Sequence, residues 1–441
     1  MQSLRDARVR GAVLSRVISL GGAPITLWLV ASHLRTADQG LYFVLLGVVM
    51  LAQFMEMGPA TILVQFASHE AGRLQWSAGG QLTGGINART AISVLLHTAL
   101  RWHARIALLL VAVVGVGGAF VYAPRQDSLA FLVLWFSSIL LVAAYIMLVP
   151  FLAICEGTGA QISLQNMRAV QAAAVLVALW LGLLQRHALL ACWLAAFVQV
   201  GIAGSWLVFT RRGLLRAPTT LPSNLAGDQD ATLATKLDTE QRRSAQLWFA
   251  LQFASQLIAP VLLVAQGGDQ AGRFGLTLAL TTAPVLLAAA WLHARLPGFG
   301  ALVATQRLVE FDRAASQAVG QMLLVFGVGA VGVLLLPLAL LRWLPVLGVR
   351  VLPLPATGAM LSGALALLLL QAMSAWARSF RDEAMRTPVV VACVAIALGG
   401  MAGGVLAGAT GAALGYGAAG LLGLGPVAVL FTRHRSARLH T

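Results

Sequence analysis

One carboxylate falls where water does not reach. Glu56 lies inside the apolar run 40–66, too far from its ends for a short side chain to meet a polar phase. A charge at mid-bilayer costs on the order of 3 kcal/mol on insertion scales, so such a group faces a cavity, a partner or a proton. A purely structural role is the alternative. Gln53, Gln65, Gln252 and Gln256 are milder cases that can simply bond helix to helix. Arg16, Arg168 and Arg295 stand near the ends of apolar runs. Each either snorkels to the headgroups or, where several converge on a bundle axis, builds a cationic pocket for phosphate, because guanidinium forks bind such oxygens in pairs.

Other spacings carry less chemistry. Gly327, Gly329 and Gly332 satisfy G-x-G-x-x-G, but within an apolar run with no strand before it, which is helix packing and not a dinucleotide site. Gly400, Gly404 and Gly408, with Gly411 and Gly415, are spaced for the same packing role. No Walker A motif exists and Lys236 is the only lysine, so neither bound ATP nor any other cofactor is expected. The eight histidines never share ligand spacing with an acid on one buried face, which argues against metal and for solvated or headgroup-facing positions. Cys155, Cys192 and Cys393 form neither a C-x-x-C pair nor a disulfide framework. No serine sits in a G-x-S-x-G turn.

The elements that must hold these residues are membrane helices. Of the 441 residues, 59% are hydrophobic and 10% charged, far from the quarter charged of a soluble domain. Apolar runs at 12–34, 40–66, 106–123, 129–153, 168–185, 188–210, 245–265, 274–294, 318–340, 356–378, 388–409 and 412–432 each suffice to cross about 30 Å of hydrocarbon. Helix is the state that satisfies their backbone hydrogen bonds in lipid. The fold class is therefore an all-α polytopic membrane protein of about 12 transmembrane helices. With residue 1 cytoplasmic, 24 of the 30 basic residues fall on the inner face, which places both termini in the cytoplasm. The net charge of +15 is spread loop by loop over that face, so topology and anionic headgroups explain it and nucleic acid does not.

Two connections on the inner face are long, 67–105 and 211–244, and the second is the most polar stretch of the chain. It divides the spans six and six: an N-terminal lobe over 1–210, a cytoplasmic linker over 211–244, and a C-terminal lobe over 245–441. LVASHLRTADQGLYFVLL from Leu29 is echoed by LVAQGGDQAGRFGLTLAL from Leu263, with Asp-Gln and then Gly at the same place in each half, as in a duplicated unit. Residues 86–105 are amphipathic. They either lie on the cytoplasmic surface or extend the third helix inward.

The first helix followed by HLRTADQGLYFVLL, then FMEMGPATILVQFASHE, AICEGTGAQISLQNMRAVQ and ARLPGFGALVATQRLVEFDRAASQAVG occur in an order that resembles the polysaccharide (O-antigen type, Wzx-like) flippases of the multidrug/oligosaccharidyl-lipid/polysaccharide exporter superfamily. The resemblance implies two six-helix lobes, MATE-like, around a central cavity. It implies alternating-access transfer of an undecaprenyl-diphosphate-linked oligosaccharide across the bacterial inner membrane. Glu56 stands where many relatives carry Asp before x-Gly. Arg16, Arg35, Arg168 and Arg295 become the candidate ligands of the lipid-linked substrate, and Glu56 the candidate coupling or cavity residue. A proton or sodium gradient is the implied energy source, with nothing to choose the ion. Membrane lipids and polysaccharide-assembly proteins are the candidate partners.

Rival functions differ in cavity chemistry. A cation-coupled multidrug exporter of the same superfamily would favour acidic cavity residues, which the first and seventh spans lack. A polymerase or ligase needs converging acid and base groups on a substantial outer loop, whereas the longest outer stretch, 341–355, is mostly Leu, Pro and Val. A lipid II exporter would be expected to run longer, to about fourteen helices.

Overall fold

In lipid the backbone must satisfy itself, and the chain is helical almost throughout. A computed structural model describes residues 7–77, 79–122, 129–216, 228–293, 295–343, 348–380 and 382–439. The chain is a multi-pass membrane protein. By length and apolar composition alone, nine helical stretches among the described residues can cross a membrane. One of them, Arg386–Arg438, is two helices joined at Ala407 and Gly408, whose backbone angles are non-helical. With α1 (Ala7–His33) and the pair α2 (Thr36–Met57) and α3 (Pro59–Glu70), the spans reach the expected twelve.

The helices form two compact units: Met1–Leu34 with Leu45–Trp248, and Arg35–Val44 with Phe249–Thr441. The first turns of α2 thus group with the second unit. Residues 228–244, within the polar stretch expected to link the halves, are helical and continuous with α10 (Asp228–Gln256).

In the first unit, α2 breaks at Gly58, where Pro59 opens α3. A methyl group on Gly58 would lie 3.1 Å from the Trp248 ring, so a small residue lets α10 approach the break. A hairpin follows, β1 (Leu74–Trp76) paired antiparallel with β2 (Leu82–Gly84), which the sequence reading of 67–105 did not anticipate. Helix α4 (Ile86–Leu109) runs on through a π-helical segment, Leu110–Gly117, into α5 (Gly118–Tyr122). The 37-residue rod is about 55 Å long, well beyond the hydrocarbon core. Of the two readings left open for residues 86–105, the inward extension is the one adopted. The π segment has a visible cause: the buried Trp135 indole donates 3.0 Å to the Gly115 carbonyl, and a methyl group on Gly118 would meet its ring at 2.3 Å. Helices α6 (Leu129–Gly157), α7 (Gln161–Leu184) and α8 (Ala188–Thr210) follow, then the short α9 (Arg212–Arg216). Helix α1 lies along α7, where Trp180 donates 2.9 Å to the Thr26 hydroxyl.

The second unit holds the end of α10, then α11 (Ile258–Ala265), α12 (Gly268–His293), α13 (Leu296–Ala304), α14 (Leu308–Trp343), α15 (Leu354–Ser379) and α16 (Arg386–Leu439). Here the two echoed segments pack on each other. A methyl group on Gly40 would lie 2.5 Å from the Gly268 carbonyl oxygen, and one on Gly272 2.4 Å from that of Thr36. The glycines of α16 serve packing on two faces. Gly403 and Gly399 press against Gly411 and Gly415 across the break, while Gly400 and Gly404 admit Ile258 and Leu262 of α11. The break itself is capped from α12, where Gln270 Oε1 accepts from the Ala409 amide at 3.0 Å.

Candidate functional site

Glu56 is the next-to-last residue of α2, just before the Gly58–Pro59 break. Its partners come from α6 and α7. Tyr145 and Glu156 are eleven residues apart, three turns of helix, and so share one stripe of α6. Helix α6 continues four residues beyond the expected span, which carries Glu156 into the helix instead of the connection. The α6–α7 turn reverses the chain within three residues, with Gly159 at φ 93°, and returns Arg168 alongside α6.

The Tyr145 hydroxyl donates to Glu56 Oε1. Arg168 donates through Nη1 to Glu156 Oε2 at 3.0 Å. Its Nη2 lies 3.8 Å from Glu56 Oε2, an ion pair beyond hydrogen-bond length. The Arg168 Nε is buried without a partner. Each of the three charged side chains is 23% exposed. The Gln199 side chain also bonds Tyr145, and Gln171 on α7 holds the Gln199 carbonyl at 2.8 Å.

Two carboxylates thus share one guanidinium in a half-dry setting, a net charge of −1 when all three ionise. Two like charges around one partner cannot both be fully compensated. The 3.8 Å contact makes Glu56 the looser of the two carboxylates.

Of the residues singled out from sequence, Arg168 and Glu56 are brought together. Arg35 is exposed in the α1–α2 connection and belongs to the second unit. Arg295, also in the second unit, donates to Gln321 Oε1 on α14 at 2.8 Å. The side chains of Arg16 and Gln53 lie outside the described residues. Gln65 is exposed, while Gln252 and Gln256 are half-buried. Tyr145 and Glu156 were not singled out. Their signal was present in a tyrosine hydroxyl inside an apolar run and a second acid within AICEGTG.

The histidines are not all solvated as expected. His103 is fully buried, its Nδ1 2.8 Å from the Ala99 carbonyl, because α4 is covered along this face. Among the described residues, no three His, Cys, Asp or Glu side chains gather as metal ligands would.

No family sequence model and no curated protein sequence matches the chain. Solved structures do. An inward-facing multidrug resistance MATE family transporter of the MOP superfamily superposes with a TM-score of 0.67 at 13% identity, over 97% of this chain and 98% of that one. The lipid II flippase MurJ, in an inward closed conformation, gives 0.63 at 11% identity over 96% and 87%. A MOP superfamily transporter from Pyrococcus furiosus, described as having a binding pocket of reversed polarity, gives 0.54 at 14% over 99% and 96%. At these identities the likeness is one of fold: the chain has the architecture of MOP superfamily transporters.

Proposed function

We propose that this chain is an ion-coupled membrane transporter, not an enzyme, that moves an undecaprenyl-diphosphate-linked oligosaccharide from the inner to the outer leaflet of a bacterial inner membrane by alternating access. The observation that carries the ion-coupled part is the Glu56–Arg168–Glu156 group with its Tyr145 donor, a charged cluster with no packing purpose in an apolar lobe. The cargo rests on the resemblance of the four sequence segments, on the arginine excess and on the fold shared with a lipid II flippase. Both termini are cytoplasmic in this reading.

A diphosphate headgroup cannot cross hydrocarbon unaided. Arg16, Arg35, Arg168 and Arg295, named from sequence, are each candidates for its oxygens, and Arg168 also links binding to the ion. With both carboxylates ionised, Arg168 is held by Glu56 and Glu156 and has little to offer a phosphate. A proton on Glu56 removes one claim on the guanidinium, and Tyr145 still bonds the neutral acid. The freed fork can then take a phosphate oxygen. Ion uptake and anion uptake are thereby favoured together, a coupling between two sites through one side chain.

The test is the leaflet distribution of lipid-linked oligosaccharide in cells with and without the protein, read by a membrane-impermeant sugar-modifying reagent. Deletion traps the intermediate on the inner leaflet if the proposal is right. Normal arrival at the outer leaflet with failure of later joining would instead indicate a polymerase or ligase. Normal lipid-linked sugar with lost resistance to cationic drugs would indicate a multidrug exporter.

A further inference from the structure

Arg211 takes no part in the charged cluster, yet side chains from the hairpin, α7 and α8 gather on it. It directly follows α8, and its guanidinium carbon lies 4.4 Å from the centre of the Trp76 ring and 5.9 Å from that of Trp206. Nη2 donates 3.3 Å to the Ser163 hydroxyl at the start of α7. Trp76 is itself fixed, its indole donating 3.1 Å to the Thr158 carbonyl in the α6–α7 turn. The hairpin tip docks at the same place, where a methyl group on Gly80 would lie 2.1 Å from the Thr210 carbonyl. Three segments far apart in sequence therefore converge to hold one cation. Among the described residues no carboxylate pairs with it, and its Nε is buried without a partner. Arg168 and Arg435, by contrast, are both neutralised by acids.

Ser163 and Trp206, which both contact Arg211, also line a groove of about 490 Å³. Helix α7 lines it with Ser163, Asn166, Met167 and Val170, and antiparallel α8 with Phe209, Trp206, Ser205 and Ile202. Each set follows the i, i+3, i+4, i+7 spacing of one helix face. Ser163 lies at the Arg211 end, while Val170 and Ile202 line the far end, deeper along both helices. The same face of α7 continues as exposed Val177, Leu181 and Leu184, an apolar stripe that lipid must cover in a membrane-spanning chain.

We propose that this groove is a binding site for an anionic phospholipid of the surrounding leaflet, its phosphodiester on Arg211 and Ser163 and an acyl chain along Met167, Val170 and Ile202. A zwitterionic lipid would fill the apolar part equally but would bring its own cation to an unneutralised arginine. The site is independent of the cargo proposed above. Its polar end lies on the face where basic residues predominate, where anionic headgroups are favoured.

The experiment is native mass spectrometry of the full chain in detergent, titrated with dioleoyl phosphatidylglycerol or dioleoyl phosphatidylcholine. Arg211→Gln should weaken the tightest phosphatidylglycerol adduct by about fivefold, the value of one basic group near a membrane surface, and leave phosphatidylcholine unchanged. Wild-type phosphatidylglycerol binding in that variant, or an equal loss of both lipids, overturns the headgroup assignment. Because Arg211 stacks on Trp76 and its variant could misfold, Val170→Trp, which fills the groove from an exposed position, provides a second reading. It should lower occupancy by both lipids. Unchanged phosphatidylglycerol occupancy there overturns the site itself.

Discussion

Removing the Arg168 guanidinium tests the charged cluster most directly. Glu156 and Glu56 lie 3.0 and 3.8 Å from it, which corresponds to Coulomb attractions of about 6 and about 4 kcal/mol at an effective dielectric near 20. Desolvation of three side chains and repulsion between the carboxylates offset most of this. Breaking a buried pair from one side costs about 3–5 kcal/mol, and partial solvent access lowers the expectation for Arg168→Gln to about 2–3 kcal/mol. In a Glu56→Gln, Glu156→Gln background the same substitution removes an uncompensated cation, and should cost under about 1 kcal/mol or stabilise. Equilibrium unfolding in mixed micelles of the wild type, the single Arg168 variant, the double carboxylate variant and the triple variant gives the coupling. A cost for Arg168→Gln that is the same in both backgrounds would refute the argument that the carboxylates and the guanidinium act as one unit.

Glu56→Gln should flatten the pH dependence of leaflet transfer at equal expression, and transport unchanged at every pH would remove Glu56 from coupling. Gly118→Ala drives a methyl group into the Trp135 ring and should cost about 1–3 kcal/mol, read as a lower melting temperature with the same fold. Asp382 is held below the ordinary carboxylate range, first by the Ala384 amide and then by Arg438 and His434. A carboxyl lowered on folding adds stability above its unfolded value of about 3.9 that fades as pH falls through the lowered one. Hydrogen-exchange protection of residues 430–438 should therefore persist from neutral pH to below that value, and Asp382→Asn should reduce it at neutral pH. The three native cysteines are buried, so an impermeant maleimide reports only introduced thiols. Arg35→Cys should label in intact cells and Lys236→Cys only after permeabilisation, and the reverse pattern would invert the proposed orientation.

The twelve spans and the packing role of most of the α16 glycines could be read from sequence, because hydrocarbon imposes length, apolarity and small residues at close contacts locally, whereas the break at Gly58–Pro59 inside the run 40–66 and the left-handed break at Gly408 appeared only in the fold. The functional residues divide differently. Glu56 was conspicuous because a charge in an apolar run is costly wherever the run packs. Glu156 and Tyr145 acquired meaning only when three turns of α6 aligned them and a tight turn laid Arg168 beside them. From its type and its place near a span end Arg168 could either snorkel or join a phosphate pocket, and tertiary structure gave it two carboxylate partners that no local pattern reveals. Arg211 shows the same limit, since its cradle draws on Trp76, Ser163 and Trp206. Hydropathy acts over one turn or one span and is written in the sequence. Charge pairing depends on which helices become neighbours, and only the folded chain decides that.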